Sequence, residues 1–336
     1  MITKKEILKI FAYGGNLRNT IDKIMNAKRG ALLVFVNDKK INKICVGGFK
    51  VNEDFSEEKI AELAKLDGAI LVDKDLKKIL STNVLLHPSI KISTKETGTR
   101  HQAAERAAKQ FNTLILAISE KAGTASLYYG NEKMRLSSLN ELFTKAGEGI
   151  KVLEKNRELF KSIIKKIDTF EVLDIVTLDD IVSLFQRKKI LDYISEILSI
   201  YLTELGKEGD LIELQLKEIT NFINKEIDLI ALDYKDYFDF NLINKELESL
   251  NYDEIIDKEN LFRIFLSYKI KEDNLTPKGY RILKNIPILT DENIISLTSQ
   301  FSDLKEMISS KEEELLNIKG INERKARAIK EYLLKI

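Results

Sequence analysis

No proline stands between Ser89 and Thr276, in a chain of 336 residues whose three prolines are Pro88, Pro277 and Pro287. A stretch with no residue that locks φ or removes a backbone donor is free to run in long helices. Most of the fifteen glycines, by contrast, precede Ile150, so the two ends of the chain are built differently from its middle. The length also exceeds one compact core. These marks predict a multidomain α/β plus all-α protein: an α/β domain over 1–139, a helical spine over 140–269 and a third domain over 270–336.

In the middle, Leu142, Ala146, Ile150, Leu153, Phe160, Ile163, Ile164 and Ile167 trace a long apolar stripe at helical spacing. A break is expected over 204–210, where Gly206 and Gly209 fall, with a helix resuming at Leu211. No residue type here suggests chemistry, and its Lys and Glu read as solvated helix faces.

The first part alternates. Leu17, Ile21, Ile24 and Lys28 predict a helix, and strands are expected at 31–36, 44–51 (interrupted at Gly47-Gly48), 68–72, 84–86, 113–119 and 124–129. Helices are expected between them at 57–65, 76–82 and 100–111. The resulting fold is an α/β sandwich on a mixed sheet, ending near Leu139.

Within it, Thr99 and Gln102 have capping-box spacing, and Ala104, Ala107, Ala108 and Phe111 follow on one helical face. The helix therefore starts at about Arg100. Its first turn carries Arg100 and His101, cations at the positive end of the helix dipole, where carboxylates are expected. An anion there removes the conflict, and a polyphosphate can use the backbone N–H groups, the dipole and the guanidinium together. An ordinary helix start with solvated charges has the same local signature, so the neighbouring segments decide. Gly68 to Asp73 reads as a buried strand with Asp67 and Gly68 leading into it.

Taken in order, Asp67-Gly68-Ala69, the run Asn83 to Leu86, the run Glu96 to His101 with Ala104 to Gln110, the run Ile118 to Lys121, and Leu127-Tyr128 resemble the diadenylate cyclase domain. The resemblance implies condensation of two ATP into cyclic di-AMP and two pyrophosphates, a reaction that asks for positioning and charge neutralisation more than for reactive side chains. It implies Asp67 as the carboxylate that holds Mg2+ or Mn2+ and polarises the attacking hydroxyl. Gly68 lets nucleotide approach the backbone and Leu86 meets adenine. Thr99, Arg100, His101 and Gln102 surround the phosphates, with Ser119 and Lys121 closing that side, and Ala103 is implied as a further ATP-binding residue. Arg100 and His101 join Asp67 as catalytic residues, and His87 is left structural. The sequence departs from the family at Gln102, where an Arg is usual, and at Ala103, where a Thr is usual. One phosphate-facing cation is then missing, which costs roughly tenfold in binding or rate.

Near the C-terminus, Leu315 to Lys330 resembles a helix-hairpin-helix, in which a glycine with positive φ lets a tight turn point backbone N–H groups at a DNA phosphate. Gly320 fits that turn, and Asn322 replaces the second glycine as another residue tolerant of the left-handed region. Ile286 to Leu289 looks like a partner hairpin without its glycine. Lys319, Arg324, Lys325, Arg327, Lys330 and Lys335 outnumber Glu323 and Glu331, which concentrates positive charge beside the turn. The DNA-binding residues are expected to be Lys319, Gly320, Asn322, Arg324 and Lys325.

Cyclase domain, helical spine and hairpin in this order are similar to the DNA integrity scanning (DisA) family over essentially the whole chain. That implies an octamer with cyclase domains face to face, and binding of branched DNA such as Holliday junctions. The alternative reading, motivated by Gln102, is a DNA-binding scaffold whose cyclase domain senses nucleotide with weak turnover.

Composition limits what else the chain can be. Lys and Arg total 54 against 53 Asp and Glu, so any nucleic-acid affinity must come from a local patch. A single cysteine, Cys45, excludes an internal disulfide framework and reads as a buried thiol without a role. Apolar runs such as 31–36 fall far short of the ~18 residues of a membrane span, and no signal segment is apparent at the N-terminus. A soluble protein, cytoplasmic and associated with the nucleoid, is expected.

Overall fold

The computed structural model describes residues 3–36, 39–271 and 274–334. It divides into two units, Met1–Lys145 with Ile200–Leu211, and Ala146–Ser199 with Ile212–Ile336.

The first unit opens with helices α1 (Lys4–Ile10) and α2 (Asn16–Asn26). Strands β1 (Ala31–Val36), β2 (Cys45–Val46) and β3 (Phe49–Asp54) follow, then α3 (Glu57–Leu63), β4 (Ala69–Asp73) and β5 (Lys78–Leu86). Helix α4 (Thr99–Phe111) precedes a meander of β6 (Leu114–Ser119), β7 (Thr124–Tyr129) and β8 (Glu132–Arg135). The strands form one sheet in the order β2-β5-β4-β1-β6-β7-β8, with β3 also on β5; β1 and β4 are parallel and the remaining pairs antiparallel.

Alternation along β1 builds the two layers. Leu33 and Phe35 face one core with α1, α2 and α3, while Leu32 and Val34 face another with α4. Ala104, Ala107 and Ala108 of α4 are fully buried on that second face, their small side chains letting the helix lie close to the strands. The expected mixed-sheet sandwich is present.

The helix expected at 76–82 is instead strand. Leu76 sits in a turn at φ 57°, and the Asp73 carboxylate accepts the N–H groups of Lys77 and Lys78 at 2.6 and 2.8 Å, which starts β5 immediately afterwards. From there the segment is held between β3 and β4, so sheet hydrogen bonds override the i, i+4 pairing of Leu76 with Leu80. The expected break at Gly47-Gly48 does separate β2 from β3, at φ 68° and 74°. Helix α1 and strand β8 had no sequence expectation. Cys45 is half-buried, its thiol donating to the Ile41 carbonyl, and burial pushes its pKa up.

Helices α5 (Leu139–Leu173), α6 (Leu178–Leu205) and α7 (Asp210–Asp233) make the long central elements. The expected interruption falls at 206–209, with Gly206 at φ 54°; a second one, at Asp174 with φ 57°, separates α5 from α6. Helices α8 (Phe240–Ser249), α9 (Tyr252–Ile256) and α10 (Lys258–Ser267) follow. The chain ends in five short helices: α11 (Tyr280–Lys284), α12 (Asp291–Gln300), α13 (Leu304–Ser309), α14 (Glu312–Leu316) and α15 (Glu323–Leu333). They enclose a core of Leu283, Leu297, Leu304, Met307, Leu315 and Ile329.

Candidate nucleotide site

Gly68 enters β4 at φ 89°, and a β-carbon there would lie 2.9 Å from both the Val84 carbonyl oxygen and the Asn83 carbonyl carbon. Only glycine meets both demands. This closeness brings the start of β4 against the irregular part of β5, where Asn83 adopts φ 56° and the β4–β5 register shifts. The strand ends thereby open toward the N-terminus of α4.

Between them lies a cavity of about 320 Å³ with an apolar wall of Leu32, Val84, Leu85, Leu86 and Ala103, completed by Gly68, Thr99 and Arg100. A second cavity, of about 330 Å³, is lined by charge: Lys28, Arg29, Lys65 and Arg100 with Asp67 and Glu120. Arg100 belongs to both. The side chains of Arg100 and Asp67 have no hydrogen bond or ion pair to any described residue. A guanidinium and a carboxylate thus share one cavity without neutralising each other, which leaves both free for a ligand.

Helix α4 is positioned by its remaining side chains. Gln102 donates to the Glu96 carbonyl, Arg106 to the Ile92 carbonyl and Lys109 to the Ser93 carbonyl, while Glu105 accepts from Thr94 and Gln110 accepts from Ser89. These residues form one polar face that straps the loop 88–98 along the helix. The expected capping box is absent: Gly98 is the N-cap, no side chain caps the helix, and Thr99 is its first residue. Gln102 reaches the loop carbonyl instead of the cap N–H, because the chain before Gly98 folds back along α4.

His101 lies edge-on to Tyr128, with ring centroids 6.3 Å apart. Burial lowers its pKa, opposed by Glu96 and reinforced by Lys133 and Arg100. The Tyr128 hydroxyl is itself buried and its pKa raised, by burial first and by Glu96 next.

The structure therefore brings Gly68, Leu86, Thr99, Arg100 and Ala103 around one cavity and Asp67 to the adjoining one. It does not bring His101, Gln102, Ser119 or Lys121 into either lining. The Ser119 hydroxyl accepts the Ala122 N–H in the β6–β7 turn, and His87 is exposed. Lys28, Arg29, Gly30, Lys65 and Glu120 had no motif to mark them; the one available signal is a basic pair followed by glycine directly before a strand.

Among the described residues no group of three His, Cys, Asp or Glu side chains is arranged to hold a metal ion. Asp67 and Glu120 are the carboxylates of the charged cavity, a donor set that suits a hard cation arriving with phosphate oxygens and keeping its waters.

In the second unit, α14 and α15 meet at a turn where Gly320 has φ 85°. Asn322 does not use the left-handed region expected of it. At φ −110° it is the N-cap of α15, its side chain accepting the Lys325 N–H at 3.0 Å. Two of the expected surface cations point inward as well. Lys325 Nζ donates to Asn293 Oδ1 at 2.7 Å and to the Gly320 carbonyl at 2.9 Å, and Lys330 Nζ donates to the carbonyls of Met307, Ile308 and Ser310. Lys319, Arg324 and Arg327 remain exposed, and Lys335 lies outside the described residues.

Two family models match the chain, DisA bacterial checkpoint controller nucleotide-binding over residues 18–133 and DisA bacterial checkpoint controller linker region over residues 136–275. The DNA integrity scanning protein DisA of Acetivibrio thermocellus is 36% identical over 98% of this chain and 93% of its own length. The chain belongs to the DisA family. DisA of Carboxydothermus hydrogenoformans is 37% identical over 98% of this chain and 95% of its own. DacA from Staphylococcus aureus, solved as a double mutant, aligns with a TM-score of 0.32 and 25% identity over 42% of this chain and 93% of that one. The DisA nucleotide-binding match spans both cavities and all of α4. No helix among the described residues is long and apolar enough to cross a membrane.

Proposed function

We propose that the chain is a diadenylate cyclase that condenses two ATP into cyclic di-AMP and two pyrophosphates, and that its C-terminal helices bind branched DNA. What carries this reading is Arg100, whose guanidinium has no partner among the described residues and is common to an apolar cavity and a charged one. Adenine fits between Leu32, Val84, Leu86 and Ala103, and the triphosphate passes Thr99 and the Arg100 guanidinium into the cavity of Lys28, Arg29 and Lys65.

In the reaction the 3′-hydroxyl of one ATP attacks the α-phosphorus of the other, the α–β phosphoanhydride bond breaks, and pyrophosphate leaves with its electron pair. The hydroxyl proton is lost to solvent, and a second such step with the roles of the two nucleotides exchanged closes the ring and releases the second pyrophosphate. Arg100 stabilises charge that grows on the phosphoryl oxygens. Asp67 lies exposed on the open side, where it can face the hydroxyl of the opposing nucleotide. Mg2+ or Mn2+ held by Asp67 and phosphate oxygens would neutralise charge and lower the pKa of the attacking hydroxyl. His101, edge-on to Tyr128 and next to Arg100, packs in the first turn of α4 outside both cavities.

One site holds one ATP and the product joins two, so two copies must meet. Leu85, 54% exposed, lines the apolar cavity, and its strand partner Val46 is 53% exposed, which gives that face an apolar rim. Face-to-face pairing follows from this reading, and the likeness to the DisA family extends the proposal to a cytoplasmic, nucleoid-associated octamer. In the C-terminal part, α14, the Gly320 turn and α15 would form a helix-hairpin-helix, with Lys319 and Arg324 on DNA phosphates.

Purified protein with ATP and either cation should form cyclic di-AMP, with a rate per subunit that falls on dilution through the dimerisation range. ATP binding without product would favour a nucleotide-sensing scaffold instead, the reading that Gln102 supports by placing an amide where the family has an Arg.

A further inference from the structure

We propose that Gly30 is a positioning residue for Arg100: the space left by its missing β-carbon is the seat of the guanidinium. This rests on the nucleotide reading above. Gly30 directly precedes β1 and is not among the residues with positive φ, so its backbone does not require glycine. What the position supplies is room. A β-carbon built there would overlap Arg100 Nη1 and lie 2.7 Å from Cζ and 3.1 Å from Nη2, and these are the three atoms nearest to it. The obstruction is thus the far end of one flexible side chain, held 70 positions later in sequence at the start of α4.

A free arginine samples many rotamers, and this one has no partner among the described residues to select one. The hollow at Gly30 selects it instead. Seated there, the guanidinium lies on the wall shared by the apolar and charged cavities, ready for a phosphate before one arrives. Any side chain at position 30 pushes it off that wall while leaving the backbone, the strand and the helix in place.

A double-mutant cycle reads this directly. Affinity for α,β-methylene-ATP with Mg2+, measured by calorimetry, is compared in the wild type, Gly30→Ala, Arg100→Ala and the double variant, with thermal unfolding as a control. Gly30→Ala should weaken binding by about tenfold, the scale of a lost charge-assisted contact, with its unfolding midpoint close to wild type. On the Arg100→Ala background it should cost nothing more. Wild-type affinity in Gly30→Ala, or a loss that adds in full to that of Arg100→Ala, would overturn the proposal. Because binding is the readout, a wild type that binds the analogue with this coupling but makes no cyclic di-AMP supports the role of Gly30 and counts against the cyclase alone.

Discussion

The Arg281 guanidinium donates to the Glu171 carboxylate with neither side chain exposed to solvent. Its other arm reaches Asp168, and the Tyr234 hydroxyl donates to Glu171 at 2.9 Å. Asp233, at the end of α7, accepts the N–H groups of Gly279, Tyr280 and Arg281 at 2.7, 2.6 and 3.1 Å. The Arg281 guanidinium therefore ties α11 to α5, and the Asp233 carboxylate ties the start of α11 to α7 through backbone N–H groups, so that one buried cation stands among more carboxylates than it can neutralise. Burial pushes Glu171 up to about 8, with Arg281 opposing and Asp233 reinforcing; burial likewise pushes Asp233 up to about 6.

A proton held by the folded cluster and released by the unfolded chain makes stability fall as pH rises. For Glu171 the window runs from its ordinary 4.5 to about 8. Glu171→Gln removes that titration, so its unfolding midpoint should gain on the wild type as pH is raised through this window. A difference between the two that stays constant with pH would contradict the assignment. Arg281→Met, which strands the carboxylates, should instead cost about 3–5 kcal/mol at neutral pH, read from denaturant unfolding.

Gly68→Ala meets backbone on β5 rather than a movable side chain, at a φ that alanine disfavours. It should destabilise by about 1–3 kcal/mol and lower nucleotide affinity together, since the same backbone forms the cavity wall. Calorimetric unfolding and ATP titration check both; a loss of one without the other would separate the fold from the site.

Much of this was legible in the sequence, for reasons that also explain what was not. The alanine face of α4 and the alternation of β1 are local periodicities, so both elements and the sheet class could be read directly. The segment 76–82 carried helical spacing, but its hydrogen bonds go to β3 and β4, partners that no local pattern displays. Gly30 acts on a residue far along the chain, and Lys325 and Lys330 are basic in sequence yet spend their charge on carbonyls inside the fold. Residue type predicts a cation; only packing tells where it points.

That distinction separates the C-terminal lysines by experiment. Lys319→Ala with Arg324→Ala should weaken binding to a Holliday junction and reduce the slope of log K against log salt by about 2, leaving the unfolding midpoint unchanged. Lys325→Ala should lower stability by about 1–3 kcal/mol, because its ammonium bridges Asn293 and the Gly320 carbonyl. Junction binding by the double variant as tight as wild type at matched salt would place the DNA elsewhere.

The central claim concerns Asp67 and its place opposite Arg100. Asp67→Asn keeps the volume of an exposed side chain and removes its charge, so fold and assembly should persist. The most direct measurement is chromatographic: wild type and Asp67→Asn are incubated with ATP and Mg2+ or Mn2+ at equal concentration, and cyclic di-AMP is quantified over time. The predicted result is accumulation of cyclic di-AMP by the wild type and none by the variant at the same elution volume on gel filtration. Product formation by Asp67→Asn at the wild-type rate would contradict the account.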